Sequence, residues 1–597
     1  MGGSYIADLA NQITFLVALA VSLNLLLGFA GQMSMATAAF YGLGAYTCAI
    51  MTAQGMTLTG AAVIGPGWPF LGGLASAIVV SFVGGLVVAA PAARRVRGDY
   101  LILLTLAFHF LFVTIASSWV GLTGGPNGIV VPPIGFFGYE INTTDQAFWF
   151  LLAWAAFVSL VCWWIGRSPF GRLLRGIRED EIAIQALGKR TIAPKSLAFA
   201  MTAAMAGATG AISAAYMQFV APTTYSLDLA ILVAACVALG GPGNILGSVV
   251  AAIVIGALRP ILENVPSLSS DSAVPWQTVI YGSILVAGMV FRPRGLLPEG
   301  LIAMRRFPRE AISAVPRVVQ ATLLKTVGER DQPALAKSSV PSPMIASPIV
   351  RVRNLSKSFG GLQAVKDVSF DLHPGEIVAL IGPNGAGKST IFNLMTGAIR
   401  PDQGEVTLHG QSLAGADPCA VARSGMARYF QHVRILPGLS ALNNVAIGVP
   451  RQAGENLAMT FLAPMRVARG EAEVRAEALR QLENVGIAPH ANRTAQDLAF
   501  GQQKLVAFAR LLATGAQVLL LDEPTSGVDP QAADQIIALV RTLAQSGKSI
   551  CIVEHSLHVV SELADRILFM NAGAIMAEGT VEAITTRPDL VDLYFGT

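Results

Sequence analysis

Apolar residues in the first half of this chain run on for whole helix lengths. A helix needs about 20 mostly apolar residues to cross the hydrocarbon core of a bilayer. Such stretches occur near 8–28, 35–54, 69–90, 100–119, 147–166, 196–219 and 275–291. A further stretch, 229–258, is interrupted by Gly240-Gly241-Pro242-Gly243-Asn244 and reads as two short spans or a re-entrant hairpin. Either form returns the chain to the side it left. Past residue 300 the pattern changes. Residues 310–348 are rich in Ala, Ser, Pro and Val, with Pro316, Pro333, Pro341, Pro343 and Pro348, and read as a partly flexible linker. Strand and helix signals then alternate, with Ile377–Ile381 patterned as a buried strand. The reading has three parts: a multi-span α-helical membrane domain over 1–300, a linker over 301–348, and an α/β domain over 349–597.

The α/β part carries chemistry. The strand Ile377–Ile381 leads directly into Gly382-Pro383-Asn384-Gly385-Ala386-Gly387-Lys388-Ser389-Thr390. This is a phosphate-binding loop in its required strand-to-helix setting. Its glycines let backbone N–H groups close round phosphates, Lys388 reaches the β/γ-phosphates, and Ser389 is placed for Mg²⁺. A second apolar run, Val518–Leu521, ends in Asp522 and Glu523. Paired acids at a strand end are often only a helix cap. After a phosphate-binding loop they suit holding the metal's water shell (Asp522) and activating the attacking water (Glu523). The expected fold is thus a P-loop ATPase behind a membrane domain, with ATP and Mg²⁺ as cofactors.

Charge adds orientation. The first 291 residues hold 11 Lys/Arg and 10 Asp/Glu, against 30 and 27 in the rest, so one half suits lipid and the other water. Net charge is only +4, which gives no reason to expect nucleic acid. The chain has no Lys or Arg before Arg94, so the first apolar run reads as a retained span rather than a signal peptide. Basic clusters mark the cytoplasmic side. They comprise Arg94, Arg95 and Arg97; then Arg167, Arg172, Arg175, Arg178, Lys189, Arg190 and Lys195; then Arg292, Arg294, Arg305, Arg306 and Arg309. The alternate loops, 55–68 and 120–146, have no Lys or Arg. Counting crossings puts all three clusters on one side, which is also where ATP is found. The five cysteines are far apart and read as apolar fillers.

Three features of the membrane half invite weighing. Arg172–Leu187 reads as one helix with Leu173, Leu174, Ile177, Ile184 and Leu187 among polar residues. It could lie at the membrane interface. The favoured alternative is an element that docks on the ATPase. Gly28, Gly31, Gly42, Gly44, Gly84, Gly85, Gly207 and Gly210 indicate close helix packing. His109 lies mid-span; a hydrogen bond to a neighbouring helix is favoured over a functional role.

Other segments carry a resemblance. Leu498-Ala499-Phe500-Gly501-Gln502-Gln503 is similar to the signature motif of ATP-binding-cassette ATPases. Gln431, in Arg428-Tyr429-Phe430-Gln431, resembles the Q-loop glutamine, a metal ligand with a catalytic part. Asp529, in Ser526-Gly527-Val528-Asp529, resembles the D-loop acid, and His555 the switch histidine. Phe359 is placed like the aromatic that stacks on adenine. The resemblance makes Glu523, His555 and Gln431 catalytic. It makes Ala499, Phe500, Gly501, Gln502 and Asp529 nucleotide-contacting across a pair of cassettes. The family signature usually opens Leu-Ser-Gly-Gly-Gln; here Ala499 stands for the serine and Phe500 for the first glycine. The Leu-Ala-aromatic-Gly-Gln-Gln form is similar to the ATPases of branched-chain amino acid importers.

The membrane half resembles the same importers nearly throughout. The segments that carry this are Gly28–Ser34, Tyr41–Tyr46, Arg97–Tyr100, Leu122–Gly128, Ser168–Arg172 and Phe291–Leu296. The resemblance implies a permease subunit fused to an ATPase, acting in the cytoplasmic (inner) membrane. It also implies partners: a second permease subunit, a second ATPase subunit and an extracytoplasmic solute-binding protein. The expected solute is a branched-chain amino acid, with urea, amides or aromatic acids as alternatives. The rival reading is an exporter half-transporter acting as a homodimer.

Overall fold

In the computed structural model the described residues are 2–53, 65–95, 98–136, 139–141, 143–263, parts of 276–299, 347–585 and 587. The expected linker therefore lies almost wholly outside them. So do Arg97, most of the loop 55–68, much of the run 275–291, and Arg292, Arg294, Arg305, Arg306 and Arg309. The chain divides into two compact units. One comprises Met1–Arg178, Thr191–Met304 and Glu455–Phe461; the other comprises Glu179–Arg190, Arg305–Gly454 and Leu462–Thr597.

The first unit is helical. Its helices are α1 (Gly2–Asn24), α2 (Thr37–Thr52), α3 (Phe70–Arg95), α4 (Gly98–Ser118), α5 (Thr144–Arg167), α6 (Pro169–Glu179), α8 (Ile192–Met217), α9 (Leu227–Gly240) and α10 (Ile245–Glu263). A short helix of the second unit, α7 (Glu181–Ala186), falls between α6 and α8. Among the described residues, six helices are long and apolar enough to cross a membrane. Two are central: the windows in Ile6–Phe29 and Ile192–Met217 are 83% and 89% buried. Those in Phe70–Pro91, Tyr100–Ser118 and Thr144–Arg167 are only 28% buried, so their apolar side chains point outward, as lipid-facing helices require.

Small residues let the central helices touch backbone to backbone. A Cβ added at Gly44 of α2 would lie 2.0 Å from the Gly207 carbonyl oxygen of α8. One added at Gly210 would lie 1.8 Å from the Tyr41 oxygen. This bears out the packing expected of these glycines.

Two expectations change, and a third is narrowed to one of its alternatives. The run 35–54 gives a helix of only 16 residues, because Gly31 (φ 68°) turns the chain and residues 31–36 are not helical. The interrupted stretch becomes two helices, α9 and α10, folded back through Gly241–Asn244. The side chain of Asn24 closes that turn. Its Oδ1 accepts from Gly243 N (2.8 Å), and its Nδ2 donates to the Asn244 oxygen (2.9 Å) and Ser248 Oγ (2.8 Å). His109 is buried, yet its Nδ1 has no hydrogen-bond partner among the described residues, so the expected interhelical bond is not formed at that atom.

The second unit is α/β. A six-stranded sheet runs β6 (Met426–Tyr429), β7 (Val518–Asp522), β8 (Ser549–Val553), β3 (Ile377–Ile381), β9 (Arg566–Asn571) and β10 (Ala574–Gly579). All neighbours pair in parallel except β9 and β10. Strands β3, β7 and β8 are buried along their whole length, which is why they read as continuous apolar runs. A four-stranded antiparallel sheet, β2 (Leu362–Leu372), β1 (Val350–Phe359), β4 (Gln403–Leu408) and β5 (Gln411–Ser412), completes the fold. The helices used below are α11 (Lys388–Met395), α12 (Pro418–Arg423), α13 (Leu457–Leu462), α14 (Pro464–Asn484), α15 (Phe500–Ala513) and α16 (Pro530–Gln545).

Candidate nucleotide site and docking segment

Parallel sheets present ligand sites at the carboxyl ends of their strands. Here β3, β8 and β7 are successive neighbours, and their ends bring together the loop 382–390, Glu554-His555 and Asp522-Glu523. Gly382 (φ 149°) and Gly387 (φ 105°) take backbone conformations that L side chains rarely adopt. A Cβ at Gly382 would also meet the Met570 oxygen at 1.9 Å. Lys388 begins α11 with its ammonium folded onto its own loop, 2.7 Å from the Gly382 oxygen and 2.9 Å from that of Pro383. Burial pushes its pKa down, opposed by the charges of Glu523 and Asp522. Those contacts are ones an incoming phosphate can replace. Ser389, Asn384 and Gly385 are exposed, Pro383, Gly387 and Thr390 half-buried, and Ala386 buried.

Asp522 is buried, and Arg428 Nη2 donates to its Oδ2 at 2.8 Å. Its Oδ1 has no partner among the described residues. A buried carboxylate oxygen without a donor, beside the exposed Ser389 loop, is a donor set that fits a hydrated magnesium ion. Glu523 holds a positive φ of 47° with its N–H on the Val553 oxygen (2.8 Å). Its Oε1 lies 2.9 Å from His555 Nε2. The pairing of these two expected catalytic residues is thus direct. Glu554, not singled out from the sequence, is buried and accepts from Thr525 N (3.0 Å) and Oγ1 (2.7 Å), fixing the turn after Glu523.

The other expected residues fall into two places. Phe359 ends β1, 47% exposed, as a stacking surface needs to be. Gln431 follows β6 and is exposed. Ala499, Phe500, Gly501 and Gln502 sit at the start of α15, where Gln502 Oε1 accepts from Ala499 N (3.3 Å). Alanine has no oxygen to reciprocate. These residues neighbour the segment Ser526–Asp529: Lys504 Nζ donates to the Pro524 oxygen (3.0 Å) and to that of Ser526. Asp529 caps α16, accepting from Ala532 N (3.0 Å). The signature therefore packs on its own D-loop, and the described hydrogen bonds join it to no residue of the loop 382–390.

The expected docking helix is not one helix. Asp180 is extended (φ −154°, ψ 99°) and its Oδ1 accepts from Ala183 N (2.9 Å), so α6 ends and α7 starts afresh. Leu174 and Ile177 are buried on α6 in the helical unit, with Leu174 in the apolar core of its spans. Residues Glu179–Arg190 belong to the α/β unit, where Ala183 and Ile184 are buried and several polar contacts join them. Arg434 Nη1 reaches both Asp180 oxygens (3.1 and 2.8 Å). Gly438 N donates to Glu179 Oε2 (3.1 Å), Arg423 Nε to the Gly188 oxygen (2.7 Å), and Lys189 Nζ to the Val449 oxygen (2.6 Å).

From Asp180 a short path leads inward. The Arg434 guanidinium lies 5.0 Å from the Phe430 ring centre, and Arg428 lies 4.9 Å from the same centre. Arg428 then bonds Asp522 and, at 2.5 Å, Asn393 Oδ1. One phenyl ring, in contact with both guanidinium groups, joins the docking segment to the acid of the nucleotide site. Burial pushes the Arg428 pKa down, opposed by Asp522.

Comparison with known proteins fits both units. Residues 5–289 match the family model described as branched-chain amino acid transport system / permease component, and 365–526 match that of the ABC transporter. The high-affinity branched-chain amino acid transport ATP-binding protein LivG of Escherichia coli K12 is 37% identical over 253 residues, 42% of this chain and 99% of LivG. The chain belongs to the branched-chain amino acid family of ATP-binding-cassette transporters. BraF of Pseudomonas aeruginosa, named as another such ATP-binding protein, is 35% identical over 253 residues, 42% of this transporter chain and 99% of BraF. A crystal structure of a nucleotide-free ATP-binding cassette is 32% identical over 42% of the chain and 100% of its own length, with a TM-score of 0.38. This member of the family joins a permease component and an ATPase in one multi-pass membrane chain, and its cassette binds and hydrolyses ATP to drive transport.

Proposed function

We propose that this chain imports branched-chain amino acids across the cytoplasmic membrane, as one permease and one ATPase of a larger complex. The observation that carries this reading is the joint match of both halves to branched-chain amino acid transport components. The loop Gly382–Thr390 takes the phosphates and Phe359 the adenine. Ser389, Asp522 and Gln431 hold magnesium, which supplies charge neutralisation on the phosphates when bound. Glu523, kept in place by His555 and its own strained backbone, takes the proton of the attacking water. The orphaned Oδ1 of Asp522 and the 2.9 Å His555–Glu523 contact support these roles.

One chain has one P-loop and one signature, set apart within the cassette. The signature residues Ala499, Phe500, Gly501 and Gln502, with Asp529, therefore serve a nucleotide held by a second ATPase. A second permease subunit and an extracytoplasmic solute-binding protein complete the complex. Uptake of labelled leucine, urea and benzoate by the complex in proteoliposomes tests the solute. ATP-dependent leucine uptake is expected; uptake of urea or benzoate without leucine overturns the choice. Outward transport without a binding protein overturns import.

A further inference from the structure

One stretch inside the membrane unit is not α-helical. Leu25–Phe29 form a single π-helical turn, and residues 31–36 are irregular before α2 begins. Met35 N donates to Thr105 Oγ1 (3.1 Å), and Thr105 lies about 10 Å along the axis of α4 from Gly98. Irregular backbone at that depth is tolerated where it is buried in protein or lines a cavity. Here it lines a cavity whose walls include Leu26, Ser34, Thr37, Phe40, Phe199 and Thr202.

The start of α2 is short of acceptors. Ala36 precedes the helix and has no side-chain oxygen to cap it, and the N–H groups of Thr37, Ala38 and Ala39 meet no acceptor among the described residues. All three residues are buried. The N–H of Phe40 is the first to be satisfied, 2.9 Å from the Ala36 oxygen. The Thr37 hydroxyl makes no hydrogen bond to a described residue, and Ser34 Oγ accepts from Ala36 N (3.2 Å) without donating to one. Thr37 is 3% exposed and Ser34 4%, and both line the cavity. Neither α2 nor α8 has an acidic residue, and α1 has only Asp8, near its opposite end. Donors therefore gather at the cavity with no carboxylate of these helices to meet them. Buried N–H groups without a partner are costly, and a helix N-terminus favours an anion. Leu26, Phe40 and Phe199 make the neighbouring wall apolar.

We propose that the start of α2 is a carboxylate site on the import path. The N–H groups of Thr37, Ala38 and Ala39 and the hydroxyls of Ser34 and Thr37 donate to the carboxylate of the amino acid, and Leu26, Phe40 and Phe199 receive its branched side chain. The cavity measures about 10 Å³ in this conformation, the room of one water, so the site is closed here and fills only as the ends of α2 and α8 beside it part. The site presupposes import of an amino acid, as proposed above, and adds where the permease holds it. It also gives the permease a means of rejecting urea, which has no carboxylate and would leave buried donors unpaired.

The test uses the assembled complex with its partner subunits. The five native cysteines are buried, so Thr37→Cys places one thiol at the site. Labelling of that thiol by a small methanethiosulfonate reagent, corrected for the parent chain, should be slowed several-fold by excess leucine. Leucinamide, which keeps the side chain and lacks the carboxylate, should not slow it. Equal protection by the two, or none by either, would overturn the proposal, as would a thiol that stays unreactive both with and without ATP. Thr37→Val keeps the shape and removes the hydroxyl. Leucine uptake per assembled complex, with saturating binding protein, should fall about tenfold or more, as for loss of a hydrogen bond to a charged group, and Thr37→Ser should restore it. Loss in Thr37→Ser with normal uptake in Thr37→Val would show a packing role and overturn the site. Wild-type uptake separates the two readings. If the wild-type complex takes up urea and no leucine, the choice of solute fails and the site with it; if leucine enters wild type and Thr37→Val equally well, only the site fails.

Discussion

Replacing Asp180 with alanine removes the acid that Arg434 grips with two contacts of 3.1 and 2.8 Å. The Asp180 side chain is 17% exposed and that of Arg434 is 34% exposed, so water screens the pair in part. Fully exposed pairs contribute about 0.2–1 kcal/mol, and buried charged hydrogen bonds about 1.5–3 kcal/mol. This pair belongs between them, at about 1 kcal/mol, or roughly fivefold in a docking equilibrium. Asp180 also caps α7, and losing a cap costs a further ~1 kcal/mol. Asp180→Ala should therefore be worse than Arg434→Ala. The double variant should lose less than the sum of the two single losses, because the shared pair can be lost only once. The assay is ATP hydrolysis by the reconstituted complex with and without loaded binding protein, per folded chain, beside leucine uptake. Basal hydrolysis should persist while stimulation and uptake fall. Purely additive losses, or full stimulation in both single variants, would show that Asp180 and Arg434 do not transmit docking.

Glu523→Gln should abolish ATP turnover while nucleotide still binds, whereas Lys388→Ala should weaken binding itself; wild-type hydrolysis in Glu523→Gln would refute the role of Glu523. Lys504→Met strips a fully buried ammonium from two backbone carbonyls and should cost about 1–3 kcal/mol per unpaired group; an unchanged thermal inactivation midpoint of the ATPase would contradict this. Glu376 is desolvated, but its bonds to Arg566 and His373 outweigh that and hold its pKa below the usual value. Its contribution is complete above the unfolded carboxylate pKa of about 4.3 and is lost as pH falls through the lower folded value. Glu376→Gln should therefore flatten the acid loss of stability, and an unchanged acid profile would refute it. A cysteine at exposed Glu140 should react with an impermeant thiol reagent in intact cells and one at Glu179 should not; the reverse pattern overturns the orientation.

The chemistry was legible from the chain because phosphate binding is local. Gly382–Ser389 must be contiguous to wrap a phosphate, and Asp522-Glu523 must end a buried strand, so each leaves a compact mark. The long apolar runs were legible for a similar reason: hydrocarbon satisfies no backbone polar group, so a lipid-facing crossing has to be helical and leaves a long apolar run. Asp529 and Ala499 through Gln502 could be named but not joined, since only packing puts the signature helix on its own D-loop. Arg428 lay in the very motif quoted for Gln431, and Lys504 just past the signature. Neither stood out, because the value of a charge depends on partners 94 and 20 residues away.

The docking segment marks the limit most clearly. The 3.6-residue spacing of Leu174, Ile177, Ile184 and Leu187 predicted one amphipathic helix with one buried stripe. Periodicity reports that a face is buried, not against what. The tertiary structure breaks the helix at Asp180, so that Leu174 and Ile177 are buried on a helix of the permease unit while Ile184 is buried in the segment Glu179–Arg190 of the cassette unit. A capping carboxylate outweighs helix continuity there because it satisfies the Ala183 N–H and meets Arg434 at once, and only the folded chain brings Arg434 within reach.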